Sequence, residues 1–485
     1  MFNSISIGGF LKRFLAAILS LTMILSVSGC ANTANSNRDD STSIDAPDWD
    51  FINERAEAFV AAAASGDFDA AAAMFDETML QVYGAEGLQE GWATITATAG
   101  DFIGIHDIQN AEADGYYISG VIMRHADTGF GWNIVFSEDG LIAGLYTGGT
   151  MPIPAETHDI DQVPPTPVLN EGFTDYPIVV GEETSYPLNG ILSMPNNTSG
   201  MVPAVVLVHG SGPQDMDLTI FSNKPFRDIA EHLAANGIAV IRYDKRTFAH
   251  GERLLQELGG SATVFHETIE DAILAAEILK ADARIDENRV YIAGISMGAM
   301  LAPRIHAEGG NFAGIISLAG SPRSIHAISY RQLMLTIELM EDGEEKDNAL
   351  ELSERASYDA AIAEILNLPD EEAKNTPVGI GGVSAYYYKD WDRIPTSDYV
   401  ETISIPFLIM QGSADFQVFA DEDFVAWQEL LAGRENAAFK LYEGLNHLFI
   451  QSSGWSITDF QEEYSVPGHV DGQVLADIAE WIKSN

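Results

Sequence analysis

The ten residues Arg289-Val290-Tyr291-Ile292-Ala293-Gly294-Ile295-Ser296-Met297-Gly298 constrain the fold more than any other stretch of this chain. A β-branched and apolar run leads into Gly-x-Ser-x-Gly, and a short helical run, Ala299 to Ala302, leads out. The pattern predicts a buried strand, a sharp turn and the start of a helix. A side chain at position 294 or 298 would collide with the turn that lifts Ser296 clear of a sheet. By itself the motif is weak in a chain with 43 glycines, so its setting carries the weight. The same alternation continues on both sides. Strands at Val205, Ile238–Tyr243, Val290 and Ile315–Leu318 interleave with helices at Phe226–Asn236, Thr268–Lys280 and after Ser296. That order predicts an α/β fold, a mostly parallel, doubly wound sheet with helices on both faces.

A hydroxyl in such a turn becomes reactive only if a base can take its proton and a carboxylate can orient that base. Both lie downstream, acid before base. Pro406 to Gly412 is a short apolar strand, and Asp415 sits just past its end. Phe439 to Tyr442 alternates like a strand and runs into a loop that presents His447. Asp415 follows Ser296 by 119 residues, and His447 follows Asp415 by 32. The second interval fits one crossover, with a helix over Phe424–Leu431, and places both groups after adjacent parallel strands. The plainer roles are helix capping for Asp415 and loop packing for His447; His469, beyond the last expected strand, is a rival base. Ala204 to Val208 is a continuous apolar strand, as expected where both sheet faces are covered. It ends in His209-Gly210-Ser211-Gly212-Pro213. The backbone N–H groups of Ser211 and Met297 are the expected donors to a developing oxyanion. His209 is expected to brace that loop, and Asp244 to be structural, paired with a neighbouring cation.

Three blocks carry a resemblance: Val208-His209-Gly210-Ser211-Gly212-Pro213-Gln214-Asp215, Asn223-Lys224-Pro225-Phe226-Arg227-Asp228 and Ile241-Arg242-Tyr243-Asp244-Lys245-Arg246-Thr247. Over residues 170–485 the chain resembles two-domain bacterial α/β-hydrolases of the carboxylesterase type, relatives of proteins called dipeptidyl aminopeptidases or acylaminoacyl-peptidases. The resemblance implies that Ser296, Asp415 and His447 are catalytic. The family elbow often carries His where this chain has Ile295, and the Arg usual in the family after Gln214-Asp215 is Met216 here. The chemistry expected is acyl transfer from a small-molecule ester to water, with no metal or organic cofactor. An aminopeptidase is the alternative, but it needs carboxylates to hold a substrate ammonium. An inactive surface protein that only captures a ligand is the remaining one.

Residues 1–29 look like a lipoprotein signal peptide. Lys12 and Arg13 precede the apolar run Phe14–Val27, which is too short to span a bilayer in the mature protein. Val27-Ser28-Gly29-Cys30 resembles a lipobox, which implies a diacylglyceryl anchor at Cys30, the only cysteine, and an extracytoplasmic, membrane-attached protein. Removing that segment takes the formal charge from −47 to −49, because it removes two cations and no acid. Such a surface argues against nucleic acid as a partner. Oligomeric state is not legible. Residues 30–47 are a polar tether. Residues 48–148 predict helices (Ala56–Ala64, Phe68–Phe75, Leu88–Ala99) followed by three or four antiparallel strands, and resemble the nuclear-transport-factor-like cone. Residues 149–171 form a Pro-rich linker. The domain at 172–485 opens with a hairpin, Pro177–Val180 and Leu188–Met194, and carries an insertion at about 321–404 where this fold places its lid. Tyr330–Met340 and Ala349–Ile365 have helical patterns there. Tyr386, Tyr387, Tyr388 and Trp391 are candidates for the pocket wall, with packing of the insertion as their plainer role.

Overall fold

A computed structural model describes residues 49–151 and 167–485, apart from 114–115, 127–128, 138, 197, 341 and 379–382. The leader, Cys30, the tether and most of the linker lie outside the described residues. The described chain forms two compact units, divided at the linker.

In the first unit, helices Trp49–Ala64, Phe68–Ala72, Glu77–Val82 and Gly84–Ala99 precede an antiparallel sheet. Its strands β1 (Phe102–Ala113), β2 (Tyr116–His125), β3 (Gly129–Phe136) and β4 (Ile142–Met151) lie in chain order. Ser65-Gly66-Asp67 punctuates the first two helices: Gly66 takes φ +79°, and the Asp67 side chain accepts the Ala70 N–H at 3.1 Å. Asp76 caps the short third helix in the same way. Helices and sheet close over Phe59, Trp92 and Trp132, whose rings meet at 5.4–5.5 Å.

The second unit is built on nine strands: β5 (Val168–Leu169), β6 (Phe173–Val180), β7 (Leu188–Pro195), β8 (Val202–Val208), β9 (Ala239–Tyr243), β10 (Ile285–Ile295), β11 (Ile315–Leu318), β12 (Phe407–Gly412) and β13 (Ala437–Tyr442). They lie in the order β13-β12-β11-β10-β8-β9-β7-β6-β5. The six strands from β13 to β9 are mutually parallel, and β7, β6 and β5 add an antiparallel edge. Successive residues of β8 feed two cores. Ala204, Val206 and Val208 pack with helix Glu270–Ala281 on one face; Val205 and Leu207 pack with helices Pro225–Ala235 and Gly472–Ser484 on the other. That two-sided burial is why the strand has no polar alternation. Between β11 and β12 the chain leaves the sheet, with six helices among the described residues: Ile325–Leu339, Glu344–Leu352, Arg355–Leu366, Asp370–Lys374, Ala385–Trp391 and Thr396–Thr402. The helix expected over Ala349–Ile365 is broken in two. Glu354 turns extended (φ −50°, ψ 127°), and the Ser353 hydroxyl bonds back to the Leu350 carbonyl, a local competitor with helix continuation.

Candidate active site

β10 delivers Ser296 at the head of helix Met297–Ile305. The residue sits at φ +53°, ψ −118°, outside the regions a residue with a Cβ prefers, at a cost of about 1–3 kcal/mol. Its surroundings hold it there. The Ser296 N–H donates to the Leu318 carbonyl at the end of β11 (2.9 Å). A Cβ on Gly298 would strike the carbonyls of Val208 and His209, and one on Gly294 would strike the Gly298 backbone. Both glycines are therefore required by close backbone approach. Gly210 lies directly against the serine: a Cβ there would be 3.3 Å from that of Ser296.

Asp415 follows β12 and His447 follows β13, adjacent parallel strands. The His447 Nδ1 and the Asp415 Oδ2 are 2.8 Å apart, with both side chains buried. Gln411 Nε2 also donates to Oδ2 (2.9 Å), while Oδ1 accepts the N–H groups of Gln417 (2.8 Å) and Val418 (3.0 Å). This carboxylate is thus clamped on both oxygens, and Nδ1 of the ring is its proton donor. The loop that presents His447 is fixed by Asn446. That side chain donates to buried Glu463 (2.9 Å) and accepts the N–H groups of Leu448 and Ile450. His469 lies elsewhere, exposed and paired with Asp228 at 3.0 Å.

Ser296 and His447 line one cleft, which encloses about 630 Å³ including its open mouth. Ser211 and Met297 line it too. Met297 is the first residue of its helix, so its N–H has no intrahelical acceptor. The apolar wall comes from Leu218, Ile220, Met300 and Leu448, and from Ile325 and Ile328 on the first helix of the insertion. Sequence patterning missed Ile325, Ile328, Gln332, Gln411 and Asn446. Tyr386, Tyr387, Tyr388 and Trp391 are absent from the lining; Tyr387 packs against Tyr388 and Trp391 and its hydroxyl donates to Glu267 (2.5 Å).

His209 lies between the rings of Phe226 and Tyr243, with Nε2 2.9 Å from the Asp215 carbonyl. Burial, reinforced by Lys245, pushes this ring down to about 3, so it is neutral and serves as a brace. Asp244 accepts the Met216 N–H at 2.9 Å and tethers the same loop. Burial pushes its carboxyl up to about 7, and Asp215 and Asp217 push the same way.

A strand-to-helix serine at the switch of a mostly parallel sheet, beside a carboxylate-braced histidine, defines an α/β-hydrolase. A family model described as "alpha/beta hydrolase family" matches residues 205–454, and the chain belongs to that family. Residues 56–145 match a family described only as a protein of unknown function, DUF3887. The chain is 33% identical to esterase EstD of Thermotoga maritima over 89% of its own length and 95% of that protein's. Solved structures that the chain matches include Est1E from Butyrivibrio proteoclasticus, at 18% identity and TM-score 0.39 over 64% of this chain and 99% of that one. The esterase domain of a Rhodothermus marinus protein matches at 14% identity and TM-score 0.38, over 64% of this chain and 98% of that one.

Proposed function

We propose that this chain is a serine esterase that hydrolyses small carboxylic esters through Ser296, His447 and Asp415. The observation that carries the proposal is the 2.8 Å bond between His447 Nδ1 and Asp415, on a histidine that shares its cleft with Ser296. With Nδ1–H held by the carboxylate, Nε2 is left as the base. It takes the Ser296 proton as Oγ attacks the substrate carbonyl carbon. The carbonyl oxygen becomes an oxyanion received by the N–H groups of Ser211 and Met297. His447 returns the proton to the leaving alcohol, then activates the water that releases the acid. The esterase name of the Thermotoga relative points the same way.

An aminopeptidase would need a carboxylate near Ser296 to hold a substrate ammonium. Among the described residues, the cleft is lined by apolar side chains, glutamines, Ser211, Ser296 and His447, with no Asp or Glu. That favours an uncharged ester. The insertion between β11 and β12 is the proposed lid, with Ile325 and Ile328 in the cleft wall, and short-to-medium acyl chains are the proposed substrates. The test is hydrolysis of p-nitrophenyl esters from acetate to laurate beside aminoacyl p-nitroanilides, with Ser296→Ala as control. Ester turnover that vanishes in the control is expected. Equal turnover in the control, or a preference for the anilides, overturns the proposal. A fluorophosphonate that fails to label Ser296 would support the inactive ligand-binding alternative.

We propose also that Cys30 carries a diacylglyceryl anchor that holds the enzyme on the outer side of a membrane. The lipobox-like Val27-Ser28-Gly29-Cys30 supports this. Cys30→Ser should leave the protein without lipid in mass spectra of membrane fractions; unchanged lipidation refutes it.

A further inference from the structure

Behind the cleft, on its buried side, lies an ionic network that the proton transfers above do not use. Lys245 follows β9 and its side chain is almost completely buried. Its ammonium donates to the Gly210 carbonyl at 2.7 Å and to Glu267 Oε1 at 2.5 Å. The other oxygen of Glu267 accepts the Tyr387 hydroxyl at 2.5 Å. That hydroxyl lies 3.8 Å from the Met297 sulfur. The Lys245 backbone N–H also donates to the Gln214 carbonyl (3.0 Å), which closes the 210–214 loop onto it.

The Gly210 carbonyl belongs to the same peptide unit as the Ser211 N–H. A cation on the oxygen of an amide draws electron density away from its nitrogen and makes the opposite N–H a stronger donor, most effectively where water is excluded. The contact also fixes the plane of that peptide, and with it the direction of the N–H. The ammonium thus divides its donors between a carboxylate and this one carbonyl. Replacing a buried pair by apolar groups is often neutral or stabilising, so its presence is weak testimony for a stabilising role.

We propose that Lys245 is a positioning residue of the oxyanion hole, holding and polarising the Gly210–Ser211 peptide, with Glu267 and Tyr387 holding the lysine in turn. The inference rests on the assignment of the Ser211 N–H as an oxyanion donor. It links the insertion to the chemistry: Tyr387, on helix Ala385–Trp391, anchors the far end of the network.

The test uses the detergent-solubilised full chain and two single variants, Lys245→Met and Glu267→Gln. Active sites are counted by the end-point of fluorophosphonate labelling, so that kcat refers to live serines only. Losing a whole oxyanion donor costs about 10²–10³-fold, and here the donor remains but is less polarised. Lys245→Met should therefore lower kcat per labelled site about tenfold with KM changed less than twofold. Affinity for a trifluoromethyl ketone, whose adduct places an oxyanion in the hole, should fall by the same factor. Glu267→Gln, which weakens the hold on Lys245 but leaves its ammonium next to Gly210, should lower kcat per labelled site by less than Lys245→Met does, about two- to fourfold. A purely structural pair would behave differently: both variants would lower the melting temperature and the labelled fraction alike, with kcat per site unchanged, and that result overturns the proposal. Should Lys245→Met not fold, the double variant Lys245→Met/Glu267→Gln removes both charges together, and the same kcat loss is expected of it. A wild-type chain that neither labels nor hydrolyses esters would refute the esterase assignment itself, a different outcome from wild-type activity insensitive to Lys245.

Discussion

Replacing Asp415 by Asn changes little volume and one proton-bearing group, so its effect can be worked out atom by atom. The carboxylate accepts two backbone N–H groups on Oδ1, and Gln411 Nε2 and His447 Nδ1 on Oδ2. An amide has only one acceptor oxygen. Kept on the two backbone donors, it leaves a new NH₂ facing Gln411 and His447. Gln411 cannot turn over to receive it, because its Nε2 also donates to the Val418 carbonyl at 3.0 Å. His447 must then present a bare Nδ1 and carry its proton on Nε2, the nitrogen proposed to deprotonate Ser296. A serine hydrolase with the wrong histidine tautomer loses about 10⁴-fold in kcat. That equals about 5 kcal/mol of transition-state stabilisation. The opposed donors at Gln411 cost a further 1–3 kcal/mol or so of stability, enough to lower the melting temperature by a few degrees. The assay is turnover of p-nitrophenyl butyrate by protein whose circular dichroism and thermal melt are recorded in parallel. A loss under tenfold in a variant that remains folded refutes the role given to Asp415.

Other expectations follow from single contacts. Ser296→Gly should melt above Ser296→Ala, by about 1 kcal/mol or more, because alanine keeps a Cβ at φ +53°; equal melts would show that the elbow stores no strain. Asn446→Ala removes three bonds from the loop that carries His447 and should lower kcat about 10- to 100-fold through misplacement of the ring; unchanged turnover would show that the loop holds its shape without them. Asp244 has a pH signature. Its folded-state carboxyl is raised from 3.8 to about 7, so the folded state favours the protonated form. The stability it adds is complete below its ordinary range and is lost as pH rises through 7. The melting temperature of wild type minus that of Asp244→Asn should therefore fall between about pH 4 and pH 7 and then level off; a constant difference would refute the shift.

The sheet was legible because its signals are local. The continuous apolar runs of β8, β10 and β12 have one physical meaning, burial on both faces. Gly294 and Gly298 mark a place where backbones nearly touch. The meeting of Asp415 with His447 could be anticipated because each lies just past one of two neighbouring strands, and neighbouring parallel strands end side by side. What sequence patterning missed is defined by contacts across long separations. Gln411 is a buried strand residue like its apolar neighbours until its side chain is seen on Asp415. Asn446 resembles any turn asparagine. Lys245 lies in a block recognised by resemblance, yet its partners are 35 and 22 residues away. The cleft wall fared worst. Tyr387 draws notice as an aromatic, but it faces an ion pair, while the lining is supplied by unremarked Ile325 and Ile328. Helix Arg246–Leu258 also went unpredicted, although its residues are strongly amphipathic; the structure shows non-helical backbone within it at His250 (φ −138°), next to Gly251.

The insertion leaves the sheet after β11 and returns at β12, and those two strands are direct partners, with Ile315 opposite Phe407 and Leu318 opposite Met410. Everything between is a detour whose two ends are pinned side by side. Its length and composition can drift without shifting a single rung of the ladder below. The serine, the acid and the base all lie outside it, whereas part of the cleft wall lies inside it. On the proposed mechanism, and apart from the Tyr387 hydroxyl on Glu267, reactivity and selectivity are thereby written in separate passages of the gene. A grafted 319–406 segment is an evolutionary route to new acyl preferences that leaves the reaction itself untouched, provided the replacement still brings a hydroxyl to Glu267.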